Sequence, residues 1–286
     1  MITAHTSVLG VIGHPIEHSL SPQIQNYFAR VMKQDVCYTA FHVLPEHLGK
    51  AVSGAHGLGV KGLNVTIPHK QACLPFLSRV DETARRIGAV NTLIYEKEGY
   101  AGYNTDHIGM YMALKAQGLN IRGKSVVIIG AGGTAHAACI MAADNGAAEI
   151  TVSNRTLEKA DLLTDHVKSI YDIPVTAVQL SKLDEIIHKD IVIQTTSVGL
   201  NDPKNGCPVE SDSFFKGVSA ALDLIYSPWK TKFLQMARLN GIPAVNGFPV
   251  LIYQAAAAFE LWQGVTFPDG FLNQALEELE SLVMTV

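Results

Sequence analysis

The feature that most constrains this chain is a glycine-rich turn set between a strand and a helix. Val126-Val127-Ile128-Ile129, opened by Ser125, is a short β-branched run that leads into Gly130-Ala131-Gly132-Gly133-Thr134-Ala135. A helical pattern follows from Ala135 to Asn145. The spacing is G-x-G-x-x-A. The first glycine permits the tight turn, the second lets a pyrophosphate approach the backbone, and a small third residue lets helix and strand pack. N–H groups at the helix start then face the anion. An ordinary glycine turn needs none of these flanks, so the setting predicts a Rossmann-type dinucleotide site formed by Gly130, Ala131, Gly132, Gly133, Thr134 and Ala135.

The end of the next strand bears on which dinucleotide. An NAD site places Asp or Glu there to hold the ribose 2′-hydroxyl. Here the segment reads Ser153-Asn154-Arg155-Thr156, with Lys159 one turn later. Arg155 and Lys159 suit a 2′-phosphate, and Asn154 and Thr156 add hydrogen bonds. Cations at a helix start are unfavourable unless an anion compensates them. The reading is NADP, although Glu158 lies close by.

Around this turn, β-rich runs alternate with helical patterns. Strands are expected at Val8 to Ile12, Cys37 to Val43, Gly62 to Ile67, Ser125 to Ile129, Glu149 to Ser153, Val175 to Gln179, Ile191 to Thr195 and Ala220 to Ile225. Such alternation predicts an α/β fold with parallel sheets. Val90 to Thr105 breaks the rhythm as a hairpin around Lys97-Glu98-Gly99. The expected organisation is two-domain: an N-terminal α/β substrate domain over 1–106, a Rossmann-type NADP-binding domain over 107–244, and C-terminal helices over 245–286 that return to the first domain. A cleft between two such units is the default place for a small ligand.

Composition excludes other classes. Hydrophobic residues make up 48% of the 286 and charged residues 17%, a globular mixture. A net charge of -4 without a Lys/Arg run argues against nucleic acid. The apolar stretch Pro249 to Trp262 is too short for a membrane span and reads as a buried helix. Four scattered cysteines and an N-terminus without signal-peptide features predict a cytoplasmic chain with reduced thiols. His14-Pro15-Ile16-Glu17-His18 matches H-x-x-E-H. That metal pattern needs a continuous helix, which Pro15 opposes, so no metal is expected. Monomer and homodimer both remain open.

Four motifs outside the dinucleotide segment carry small polar groups at strand ends and helix starts: His18-Ser19-Leu20-Ser21-Pro22, Asn64-Val65-Thr66-Ile67-Pro68-His69-Lys70, Gly88-Ala89-Val90-Asn91-Thr92 and Asn104-Thr105-Asp106. Each alone could be a cap or turn. Together they offer hydroxyls, amides, one ammonium and one carboxylate, an inventory suited to a small polyhydroxylated substrate. In this order, with the glycine turn next and Tyr253-Gln254-Ala255 last, they resemble the shikimate dehydrogenase family over essentially the whole chain.

The resemblance implies NADP-dependent, reversible oxidation of shikimate to 3-dehydroshikimate on the route to chorismate and the aromatic amino acids. It implies that Lys70 and Asp106 form the catalytic pair and that Ser19 and Ser21 hold the substrate carboxylate. Asn64, Thr66, Asn91 and Gln254 would bind hydroxyls, Tyr226 would lie near the carboxylate, and Thr196 and Gly247 would border the cofactor. Lysine accepts a proton only as the free amine, which burial favours and a charged carboxylate opposes. Gln25-Asn26, where the family commonly has His-Asn, leaves a mixed quinate/shikimate specificity open; Asn246 and Phe248-Pro249-Val250 also depart from the common pattern. A non-catalytic NADP-binding regulatory protein on the same fold is the alternative of another class.

Overall fold

The computed structural model describes residues 2–200 and 206–284. It divides into two compact units, Met1–Asp106 with Ile252–Leu276, and His107–Leu251 with the chain from Glu277 onward. The sequence reading grouped everything after residue 244 with the first unit. In the structure the changeover falls at Leu251/Ile252, inside a helix, and the last helix changes unit again near its middle.

Among the described residues, the first unit has a six-stranded sheet: β1 (Ser7–Gly13), β2 (Val36–His42), β3 (Gly62–Val65), β4 (Arg79–Val80), β5 (Thr92–Glu96) and β6 (Gly99–Tyr103), in the order β2-β1-β3-β5-β6-β4. It is mixed. β1 pairs in parallel with β2 and β3, whereas β5 runs antiparallel to β3 and β6. The hairpin anticipated around Lys97-Glu98-Gly99 is β5–β6. Its helices are α1 (Ser21–Val31), α2 (Leu48–Gly57), α3 (His69–Ala72) and α4 (Glu82–Ile87), and α5 (Asp106–Ala116) begins at the boundary. Leu63, Val65, Leu93 and Tyr100 are buried in one core cluster, and Leu9, Val11 and Tyr38 in another.

The second unit has β7 (Ser125–Ile129), β8 (Glu149–Asn154), β9 (Val175–Gln179), β10 (Ile191–Gln194), β11 (Ala220–Asp223) and β12 (Ala244–Val245), in the order β12-β11-β10-β7-β8-β9, with every pairing parallel. This is the open parallel sheet expected of strand–helix alternation. The β-branched run of β7 is buried because it is covered on both faces, and the glycine turn leaves its carboxyl end. The helices are α6 (Gly133–Asp144), α7 (Leu157–Lys168) and α8 (Lys232–Leu239). α9 (Gly247–Gln263) spans the changeover, and α10 (Phe271–Met284) ends the described chain. No helix among the described residues is long and apolar enough to cross a membrane.

One buried group in this unit sets a pH dependence. Asp223 ends β11 fully buried, accepting from the Thr231 hydroxyl at 2.5 Å and the Ile225 N–H at 3.1 Å. No cation among the described residues pairs with it. Burial pushes its carboxyl up from 3.8 to about 6, and the two hydrogen bonds only partly counter this. A raised carboxylate pKa means that the folded state holds the proton more tightly, so stability falls as pH rises from about 4 through about 6. The shift corresponds to about 3 kcal/mol. Asp223→Asn removes this component. The variant's stability relative to the parent, from urea unfolding, should rise by that order between pH 4 and pH 7. A difference that stays flat with pH would show that Asp223 ionises as readily folded as unfolded.

Candidate active site

The first unit gathers most of the polar residues singled out in the sequence. Lys70 sits in α3, directly after the turn that follows β3. His69 anchors that turn: its ring N–H donates to the Val43 carbonyl at 2.7 Å, and the side chain is buried. The neighbouring histidine is therefore a structural pin rather than a proton relay. The Lys70 carbonyl accepts from the Val90 N–H at 2.9 Å, tying α3 to the loop that carries Asn91.

Asp106 is the first residue of α5. Asn104 supports it, accepting from the Asp106 N–H at 3.0 Å and donating to the Ala89 carbonyl. Lys70 Nζ donates to Asp106 Oδ2 at 2.5 Å, with side chains only 15% and 10% exposed. The other carboxylate oxygen, Oδ1, accepts from Asn91 Nδ2 at 2.8 Å. Asn91 Nδ2 also reaches Gln254 Oε1 at 3.3 Å, bringing the α9 glutamine to the same amide. Asn91 Oδ1 accepts from the Thr105 N–H at 2.7 Å and the Thr92 hydroxyl at 2.9 Å. Lys70, Asp106, Asn91 and Gln254 therefore form one hydrogen-bonded group.

Asn64 joins it from below. Its Nδ2 donates to the Asn91 carbonyl at 3.0 Å and to Thr92 Oγ1 at 3.2 Å, and its Oδ1 accepts from the Tyr38 hydroxyl at 2.7 Å. Both amide protons are committed, so the hydroxyl contact expected of Asn64 is left with one lone pair on Oδ1. Thr66 is half-buried at the end of β3, its N–H on the Ile12 carbonyl at 3.0 Å. Ser19 and Ser21 lie at the start of α1, where Ser19 Oγ accepts from the Ser21 N–H at 3.3 Å and no side chain caps the helix from Leu20.

Sequence reasoning passed over Thr92, Thr105 and Tyr38 as single residues. The threonines stood inside quoted motifs, but nothing local distinguishes Tyr38 from any strand tyrosine. Gln25, noted as a departure, is buried, and its Nε2 donates to the Ala255 carbonyl at 3.0 Å, a packing role between α1 and α9. Residues 14–18 form no helix, so the H-x-x-E-H spacing does not place its histidines on one helical face. His14 instead bonds His42 of the adjacent strand, N to N, at 2.6 Å.

The second unit holds the dinucleotide candidates. Gly130 has φ +121° and its missing Cβ would overlap the Thr195 hydroxyl, so the turn itself demands glycine there. Gly132 differs. Its φ is −91°, and an added Cβ would meet nothing within 4 Å. The fold gives no reason for glycine at this position; a ligand approaching the backbone does. Gly132 also immediately precedes the twelve-residue α6, which has no side-chain cap and no acid in its first turn. Such a helix start leaves N–H groups for an anion. Ala131, Gly133 and Thr134 are half-buried around it, and Ala135 is buried against the sheet. These residues fit the pyrophosphate of a dinucleotide.

At the end of β8, Asn154 is half-buried with Nδ2 donating to the Thr156 carbonyl at 2.9 Å. Arg155, Thr156 and Lys159 are exposed, and Gln179 fixes the Arg155 carbonyl at 2.7 Å. Neither Arg155 nor Lys159 pairs with a carboxylate of the described residues. Thr196 flanks Gly130, its N–H on Gln194 Oε1. Gly247 opens α9, and a Cβ there would overlap the Leu224 carbonyl, so close backbone approach already requires glycine. Tyr226, in the loop after β11, also belongs to the second unit; burial pushes its phenol up.

Residues 11–93 match the family model described as the shikimate dehydrogenase substrate binding domain, and residues 112–201 match shikimate / quinate 5-dehydrogenase. A protein of Caldanaerobacter subterraneus subsp. tengcongensis named shikimate dehydrogenase (NADP(+)) is 38% identical over 275 residues, covering 96% of this chain and 98% of its own. This chain belongs to the shikimate dehydrogenase family. A structure of Thermus thermophilus shikimate 5-dehydrogenase in complex with NADP(H) and shikimate superposes with a TM-score of 0.83 at 33% identity, covering 95% of this chain and 99% of that one. The Listeria monocytogenes shikimate 5-dehydrogenase, solved with shikimate and NAD, gives 0.86 at 31% identity over 96% and 98%. Among these shikimate dehydrogenases both dinucleotides therefore occur in crystals, which makes the β8 loop of this family member the feature that bears on cofactor choice.

Proposed function

We propose that this chain catalyses the NADP-dependent, reversible oxidation of shikimate to 3-dehydroshikimate. The observation that carries the reading is the Lys70–Asp106 pair, withdrawn from water and held by Asn91 in a member of this family. Lys70 Nζ takes the proton from the hydroxyl being oxidised and returns it to the developing alkoxide in the reverse direction. The α6 start and the β8 loop would hold NADP, which when bound would serve as the hydride acceptor or donor. Asp106 positions Lys70 and keeps a negative charge beside the ammonium that forms. Thr66 and Gln254 orient the substrate hydroxyls, with Asn64 contributing at most an acceptor, while Asn91, whose amide protons and oxygen are already committed, positions Asp106 and Gln254. Ser19 and Ser21 hold the carboxylate, and Thr196 and Gly247 border the nicotinamide. The chain works in the cytoplasm as a monomer or homodimer; its four cysteines form no disulfide.

Steady-state assays of shikimate and quinate with NADP and NAD test this. The expected order places shikimate with NADP highest in kcat/KM. Quinate turnover within tenfold of shikimate would make this a mixed quinate/shikimate enzyme. NADP binding without oxidation of either substrate would overturn the proposal in favour of a regulatory protein.

A further inference from the structure

The apolar run Ile191-Val192-Ile193 of β10 ends on Gln194, which is as fully buried as the residues before it. A buried carboxamide needs partners. Gln194 finds three in the loop that follows it. Its Nε2 donates to the Thr196 carbonyl and to the Val198 carbonyl, each at 3.2 Å, and its Oε1 accepts from the Thr196 N–H. The orientation of the amide is determined, because a carbonyl only accepts and a backbone N–H only donates. Both amide protons are used, so Gln194 has no donor left for a ligand.

The loop depends on these bonds. After Gln194 the backbone leaves the sheet, and Ser197 and Val198 are exposed. Thr195 is fastened to β7, its N–H and its hydroxyl both on the Ile129 carbonyl at 2.9 and 2.8 Å. The bonds from the Val198 N–H to the Thr196 hydroxyl and from the Leu200 N–H to the Ser197 carbonyl stay within the loop. They shape it without tying it down. The tie from Thr196 and Val198 back to β10 is the Gln194 side chain. The loop also stands against the glycine turn: Thr196 Cγ2 would lie 3.2 Å from a Cβ at Gly130. The backbone of Gln194 is held separately, its carbonyl accepting from the Leu224 N–H at 3.0 Å and its register fixed between Ile129 and Asp223.

We propose that Gln194 is a positioning residue for the dinucleotide, holding Thr196 to Val198 in the binding shape before the cofactor arrives. This rests on the reading that Thr196 borders the nicotinamide. The three bonds are internal to the protein and stay in place when the cofactor binds. Their contribution is the order that binding would otherwise have to create. Where the competent shape is occupied only part of the time, apparent affinity falls by that fraction. The nicotinamide half is common to NADP and NAD, so Gln194 serves both equally. In this it differs from the β8 loop, which faces the half where the two cofactors differ.

Gln194→Met keeps the length and burial of the side chain and removes all three bonds. Two measurements test it: amide hydrogen exchange of the cofactor-free protein, and fluorescence titration with NADPH and with NADH. The Thr196 amide should exchange about tenfold faster or more in the variant, and slow again when NADPH saturates the site. The Kd for NADPH and for NADH should each rise about tenfold, the loss that follows when the competent shape is occupied about a tenth of the time. The ratio of the two Kd values should stay within about twofold of the parent's, as should the shikimate KM and the kcat at saturating NADP. Parental exchange at Thr196 would overturn the role of Gln194. Faster exchange with unchanged Kd values would refute the reading of Thr196, and the proposal with it. A rise for one cofactor alone would move the disturbance to the β8 loop and overturn the proposal. A parent that bound neither cofactor would sink the functional reading itself. If the methionine variant does not fold, Gln194→Glu keeps the shape and the acceptor for the Thr196 N–H but lacks both donors. It should weaken both cofactors in the same way, and parental Kd values there would overturn the proposal.

Discussion

Lys70→Ala is expected to lower kcat about a hundred- to ten-thousand-fold, the range by which a positioned general acid–base group accelerates proton transfer. Substrate affinity should change far less, because Asn91 and Gln254 remain tied to each other and to Asp106. α3 should survive: its attachments are the His69 ring on the Val43 carbonyl and the Val90 N–H on the Lys70 carbonyl, neither of which uses the lysine side chain. The removed ammonium leaves Asp106 Oδ2 without its main partner in a site that is nearly dry, so some rearrangement of the carboxylate accompanies the loss. The measurement is kcat with shikimate deuterated at the reacting carbon, to establish that hydride transfer limits the rate. A variant within threefold of the parent under those conditions removes Lys70 from the chemistry.

Asn154→Asp combined with Arg155→Ala is expected to reverse cofactor preference, a swing of about a hundredfold or more in the ratio of kcat/KM for NADP and NAD. A charge-assisted bond to a phosphate contributes about 1.5–3 kcal/mol, and 1.4 kcal/mol is a factor of ten. The two changes remove one such bond and add a repulsion. Arg155 is exposed, so its truncation leaves no hole, and the loop keeps its shape through Gln179 on the Arg155 carbonyl. Aspartate cannot donate to the Thr156 carbonyl as Asn154 does, so its carboxylate turns away from that oxygen and is available to a ribose diol. The shikimate KM should stay within about twofold, since none of the residues proposed to hold shikimate hydroxyls lies in this loop. A parent enzyme that already prefers NAD would contradict this reading of the loop regardless of the variant.

The glycine turn was readable because everything it needs lies within a few residues: a buried strand before it, a helix after it, and spacing set by the backbone. The same holds for the β5–β6 hairpin. β4 and β12 were not readable. Each has two residues, too few for any alternation to register, and each exists because a neighbouring strand offers a free edge. The antiparallel join of β3 to β5 was equally hidden, since alternation of strands and helices indicates a parallel sheet and says nothing of an inserted hairpin. In the site, Lys70, Asp106 and Asn91 stood out through their motifs. Tyr38 did not, because its hydrogen bonds are to Asn26 and Asn64, which reach it from a helix and from another strand. The commitment of both Asn64 protons was invisible for the same reason. Gly247 shows the converse: a glycine assigned to the cofactor turns out to have a packing reason of its own.

The division of the first unit between both ends of the chain governs the order in which the protein can be finished during synthesis. Gln25, Phe28 and the Leu93 carbonyl all wait for partners in α9 and the segment after it: Ala255, Phe259 and Trp262. A ribosome adding about 5–20 residues per second takes roughly 7–30 s to cross the intervening His107–Leu251 segment. During that interval the first sheet has left the exit tunnel with its apolar side uncovered, while the second unit, nearly continuous in sequence, can already close. The unit that carries the lysine–aspartate pair is therefore begun first and closed only after the body of the second unit has been made, and its exposure to chaperones or to aggregation is set by the length of the insert.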